Sequence, residues 1–289
     1  MAYPAPSDTP TLGTLVARPL KRAIAGQVVA LFNDRSRGEA PVPRRMDGLF
    51  PPGSVCRRVH GDVASMMVGG IAGLMLQMLY PAVLAGVWDH SRFRTDLQAR
   101  LRRTARFIAL TTYGGREEAE AAIARVVAIH GHVRGTLPDG TPYAANDPEL
   151  LAWVHVTEAS TFLEAWIRYA EPDMAVADRD RYFAEMAVVG AMLGADPLPR
   201  SRAEARAILA AMRPMLRVDA RTREVSRILL TRRADTPWQE PLQALTQQAG
   251  LDLLPDWARR LHGLPPPLNR PLVRAGTLGV ARTLRWAFS

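Results

Sequence analysis

Residues 63–88, VASMMVGGIAGLMLQMLYPAVLAGVW, contain no charged side chain, and a run of that length reaches the threshold for a membrane span. Its interior contradicts that use. Gln77 sits inside it, Gly69, Gly70 and Gly73 thin it, and Pro81 disfavours helical geometry at Tyr80. The pattern predicts a long and a short helix at the centre of the fold, with glycines that admit a neighbouring backbone or a flat ligand.

The stretch RTDLQARLRRTARFIALTTY, residues 94–113, places Leu97, Leu101, Ile108 and Thr111 at helical spacing. Thr104 falls within that stripe and Arg100 on its edge, whereas Arg102 and Arg106 point away. Gly114 and Gly115 end this helix. The next, over 116–133, lines up Ile123, Val126, Val127, His130 and Val133. His132 lies roughly 200° round the helix from His130, so one helix cannot offer both to one metal, and His130 is the inward one.

The PDG of GTLPDGTPY signals a turn between two short extended pieces. In NDPELLAWVH, Asp147 is placed to cap, Pro148 suits the first helical position and Glu149 complements the dipole. This helix should reach about Tyr169, with Leu151, His155, Glu158, Phe162, Trp166 and Tyr169 on one face. Further helices are expected over 178–194, from Ser201 to about 216, and near 219–232, 238–248 and 255–262. With little strand signal, the expected fold is all-α, a single multi-helix bundle-like domain with minor extended segments. An N-terminal arm, residues 1–44, should wrap on the body around AIAGQVVALF and be mobile at its start. A main domain should cover 45–265, and a basic amphipathic helix 266–289.

Composition narrows the partners. The chain has 289 residues, 48% of them hydrophobic, enough for a sizeable core. The net charge of +9 is not spread evenly: residues 200–289 hold 16 basic and 7 acidic side chains, and the remainder is balanced. Lys21 is the only lysine, and neither a zinc finger, an RNA-binding signature nor a helix-turn-helix is legible, so nucleic acid is not the expected partner. The first residues, MAYPAPSDTPTLGTL, lack the pattern of an export signal. A single cysteine, Cys56, leaves metal chemistry to histidine and carboxylate and makes a reducing, cytoplasmic setting the expectation. The tail carries Arg270, Arg274, Arg282 and Arg285 among apolar and aromatic residues, which suits either a helix packed on the body or peripheral contact with a membrane surface.

Arg100, Thr104, His130 and His155 are predicted to face inward on separate helices, a costly arrangement unless something polar or metallic binds there. Taken singly, His130 and His155 read as hydrogen-bonded core residues, and Arg100 as half of a buried ion pair with Glu158 or Asp89. Asp89 and His90 read as helix-capping residues or ligand contacts. Together they suit one imidazole on haem iron with an arginine and a threonine opposite, or a non-haem metal held by His90, His155 and Glu158. A third alternative is a protein that holds haem or a lipid without turnover. His60, His132 and His262 are expected to be exposed.

The ordered series GD, LxLQ, P, GVxDHS, RLxRT, YG, IHxxVxG, DG, Y, DPELLAWVH, YxxE and LP, spread over roughly residues 45–265, resembles the MpaB family of oxygenases. That family shares its catalytic domain with the latex clearing protein, a rubber oxygenase. The resemblance implies an all-helical b-type haem enzyme that uses dioxygen to cleave a carbon–carbon double bond of a hydrophobic, isoprenoid-like small molecule. It puts the proximal haem ligand on His130, and the distal arginine and threonine on Arg100 and Thr104. The position of a distal lysine in the rubber enzyme carries Arg103 here, and many relatives have His-Pro where this chain has Tyr80-Pro81. His90 and His155 remain further candidates for contacts to the cofactor, and the Met and Gly residues of 66–78 for the wall of a substrate channel.

Overall fold

The computed structural model describes residues 12–33, 38–234, 236–267 and 269–289, without the side chains of 12–17 and Trp238. The elements run α1 (Leu12–Phe32), α2 (Val55–His60), α3 (Val63–Gln77), α4 (Pro81–His90), α5 (Leu97–Tyr113) and α6 (Arg116–His130). Then come a hairpin of β1 (Arg134–Thr136) and β2 (Pro142–Ala144), α7 (Pro148–Tyr169), α8 (Val176–Leu193) and α9 (Arg202–Met212). After a 3-10 turn follow α10 (Ala220–Thr231), α11 (Glu240–Leu253), α12 (Asp256–Leu261) and α13 (Arg270–Phe288). The fold is all-α apart from the hairpin, in which Gly135 pairs with Tyr143.

The uncharged run forms α3 and α4, which bend by 106° at the break before Pro81, where Tyr80 has extended backbone angles. No single helix among the described residues is long and apolar enough to cross a membrane. α3 is the central element and packs chiefly on α7 and α11. Its glycines serve that packing: a Cβ at Gly69 would stand 2.8 Å from Phe162 Cδ1, and one at Gly73 2.9 Å from Thr161 Oγ1. The neighbour that approaches at these two positions is therefore the α7 backbone and side chains, not a flat ligand. Met75, Leu76, Trp153, Leu163, Tyr169 and Phe183 are almost wholly enclosed around this contact.

Asp147 caps α7 through bonds from the backbone N–H groups of Glu149 and Leu150, and Pro148 occupies the first turn, as their spacing predicts. The expected arm is more regular than its composition suggests: α1 is a 21-residue helix despite Pro19, laid against α13 and α5. The mobility expected of the first residues concerns positions outside those described.

α13 is fastened to the body. Arg274 and Arg270 reach the buried Asp252 at 2.6 and 3.2 Å, where Arg168 also arrives at 2.9 Å. Arg285 donates to Asp62 at 2.6 Å and to the Tyr169 carbonyl at 2.8 Å. Of the four tail arginines only Arg282 lacks a carboxylate partner among the described residues.

Two histidines expected at the surface are interior. His60 bonds Thr112 Oγ1 at 2.8 Å and Tyr182 Oη at 3.0 Å, and His262 bonds Met75 O at 3.0 Å and Ser226 Oγ at 3.1 Å. Each ends a six-residue helix, too short to reveal a periodic face in sequence. His132 is exposed as expected.

Candidate functional site

α5 and α6 form an antiparallel pair turned by Gly114 and Gly115. Arg100 lies 14 residues before this turn and His130 lies 15 after it, so both fall about 20 Å from the turn, at the same end of the pair. Their electrostatics agree: burial first, then the Arg100 charge, lowers the pKa of His130. The imidazole is thereby kept neutral near pH 7, the form a metal requires.

Nδ1 of His130 is buried and has no hydrogen-bond partner. Arg100 is mostly buried and donates from Nη1 to Ser91 Oγ at 2.9 Å, but among the described residues no carboxylate pairs with it. Burial and the neighbouring Arg103 pull its pKa down to about 10, so it stays protonated at neutral pH. The ion pair expected with Glu158 or Asp89 does not form. Asp89 instead accepts from Tyr143 Oη at 2.9 Å and lies 3.5 Å from Arg221.

The inward stripe of α5 changes character along its length. Leu97 and Thr111 are buried at its two ends, yet Leu101 between them is 37% exposed and Thr104 is open, its hydroxyl donating only to the Arg100 carbonyl at 3.2 Å. On α6, Ile129 beside His130 is 53% exposed. Uncovered apolar side chains thus adjoin, in sequence, the residues that carry an orphaned imidazole nitrogen and a guanidinium without a carboxylate partner among the described residues. Arg100 also borders a narrow apolar seam lined by Leu74, Met78, Phe93, Leu97, Val225 and Leu229. Arg102 and Arg106 turn away, donating to the Leu31 and Ala40 carbonyls of the N-terminal region at 3.0 and 3.1 Å.

The other candidates lie elsewhere. His90 is exposed at the end of α4, its ring edge-on to Tyr143 with centroids 6.4 Å apart. His155 is buried against α8, where a Cβ at Gly190 would come within 3.1 Å of its Cε1; burial depresses its pKa to about 4 and its Nε2 has no partner. Glu158, half-buried one turn on, has its carboxyl pushed up to about 7 by desolvation. Among the described residues no three His, Cys, Asp or Glu side chains assemble around a common point, so His90, His155 and Glu158 do not form the non-haem trio. The sequence reading missed Ser91, which orients Arg100; it stands in the GVWDHS motif but has no periodic position to expose its role.

The profile of the catalytic domain described as "ER-bound oxygenase mpaB/B'/Rubber oxygenase" matches residues 57–286. The chain belongs to this oxygenase family. The match takes in α3–α12 and all but the end of α13, so the whole α5–α6 pair falls inside the oxygenase domain. Searches of curated proteins and of solved structures each returned no match.

Proposed function

We propose that this oxygenase is a b-type haem enzyme that uses dioxygen to cleave or oxidise a carbon–carbon double bond in a hydrophobic, isoprenoid-like substrate. The observation that carries the reading is the buried, unpartnered Nδ1 of a neutral His130, at the same end of the α5–α6 pair as Arg100, Thr104 and the uncovered Leu101 and Ile129. These residues suit a flat, largely apolar macrocycle with one metal. His130 would hold its iron, and Arg100 and Thr104 would line the other side.

Bound haem supplies an iron centre at which dioxygen is activated. The protein's share is positioning and electrostatics. Arg100 keeps its proton and, held by its bond to Ser91, would supply a fixed positive charge and N–H donors beside the bound group. Thr104 can turn its hydroxyl from the Arg100 carbonyl to add a second donor. Leu101 and Ile129 would lie against the apolar part of the bound group, and the apolar core that Arg100 borders would keep water from its inner side. Arg103 cannot cap iron as a lysine amine can, so the resting protein should show no lysine-ligated spectrum.

Absorbance spectroscopy of the protein produced with haem tests this. A Soret band that persists in His132→Ala and disappears in His130→Ala is the expected result. A colourless protein carrying stoichiometric iron would reject haem. A haem spectrum with no oxygen consumption across a panel of isoprenoid alkenes would leave a carrier.

A further inference from the structure

α13 has three sides, and each is built differently. One buries Val273, Thr277, Ala281 and Leu284, and one flank commits Arg270, Arg274 and Arg285 to Asp252 and Asp62. At 100° per residue the outward side carries Leu272, Ala275, Gly279, Arg282 and Trp286, with Leu272 67% and Trp286 39% exposed. A helix face turned to water is ordinarily polar. This one has a single charge.

The adjoining helix α1 extends the pattern. Arg18 and Arg22 are exposed, and the Lys21 ammonium sits 5.3 Å from the Trp286 ring centroid while donating to Ser289 O at 3.2 Å. Neither α1 nor α13 contains an aspartate or glutamate. Arg18, Arg22 and Arg282 have no carboxylate partner among the described residues. Exposed tryptophan and leucine, flanked by unbalanced cations and no acid, have the chemistry of a surface that rests in the headgroup layer of an anionic bilayer. A nucleic acid would engage the cations and leave Leu272 and Trp286 uncovered.

We propose that the outward face of α13, together with Arg18 and Arg22 of α1, is a docking surface for a membrane rich in anionic lipid. The proposal is independent of what the α5–α6 site binds. It assigns the packing arginines and the docking residues of α13 to different sides of the helix, so a helix fastened to the body also presents a surface to lipid.

Sedimentation of the full chain with phosphatidylcholine vesicles, with and without about a third phosphatidylserine, tests it. Binding should require the anionic lipid and weaken with salt. The triple variant Arg18→Gln/Arg22→Gln/Arg282→Gln should lose on the order of 100-fold in partitioning. A control of equal charge loss, Arg200→Gln/Arg206→Gln/Arg223→Gln, at three exposed positions away from α1 and α13, should bind as the parent does, and matching thermal melts of all variants exclude misfolding. Quenching of tryptophan fluorescence by brominated lipid should occur in the parent and be lost in Trp286→Phe. Equal binding to neutral vesicles, parent-like binding of the triple variant, or preferential binding of a DNA duplex over anionic vesicles would each overturn the proposal.

Discussion

The two ends of the α5–α6 pair are made from the same helices and differ in how completely they are satisfied. At the turn, Thr112 bonds His60, Tyr113 Oη donates to the Arg57 carbonyl at 2.8 Å, the Gly115 N–H donates to Glu118 at 2.9 Å, and Ala119 and Ile123 are enclosed. At the far end, His130 keeps an orphaned nitrogen, Arg100 has no carboxylate partner among the described residues, and Leu101 and Ile129 are uncovered. One end is finished by the chain itself; the other is left, on the proposed reading, for a bound cofactor to finish. Substitutions at the turn should therefore change stability, and substitutions at the far end should change what the protein holds.

The sharpest division is expected from His130→Ala, which should abolish the Soret band while shifting the stability of the cofactor-free protein by no more than about 0.5 kcal/mol in urea titration. Acid should act in the opposite sense, on the turn end. Burial holds His60 near a pKa of about 3 against 6.5 for a free imidazole, so the unfolded chain takes up a proton that the folded one refuses. Stability should fall as the pH drops from about 6.5 towards 3, by on the order of 5 kcal/mol from this residue alone. Denaturation curves at stepped pH, compared with those of His60→Gln, measure that slope; a parallel pair of profiles would break the assignment.

Next in size, His60→Ala at pH 7 should cost about 3 kcal/mol, because Thr112 and Tyr182 lose a shared partner and a cavity opens. Glu158 tilts the alkaline side of the profile. Its folded carboxyl holds a proton up to about pH 7, whereas the unfolded group releases it near 4.5, so stability falls as the pH rises between these values. Glu158→Gln should remove up to roughly 3 kcal/mol of that fall, seen as a gain at pH 8 and none at pH 4. The smallest effect belongs to Arg100→Met. In the cofactor-free protein it should move the His130 titration upward, read by NMR, because the positive charge that opposes protonation is gone.

Periodicity and breakers made most of the helical frame legible. Pro81, the Gly114–Gly115 pair and the Asp147–Pro148 start act within a few residues of themselves, and the structure places each boundary where those local effects put it. The inward edge of α5 was readable only in part: the spacing put Leu97, Arg100 and Thr111 inside, where they are, but it also put Leu101 and Thr104 inside, and both are exposed because helical spacing says nothing of how far along the stripe a neighbouring element reaches. Partners distant in sequence leave no such trace. Nothing near His60 announces Tyr182, and nothing near Asp89 announces Arg221. The two glycines of α3 show the limit most clearly: their sequence permits any close neighbour, and only the three-dimensional placement of Phe162 and Thr161 says which one is there.

The pairing of Asp62 with Arg285 joins residues 223 positions apart. At a synthesis rate of about 5–20 residues per second, a ribosome exposes the acid roughly 10–45 s before it makes the base. For that interval Asp62 can already cap α3 through Ser65 with one carboxylate oxygen, while the other stays turned to water until Arg285 arrives, so the start of the central helix is set locally and its tie to α13 is added late.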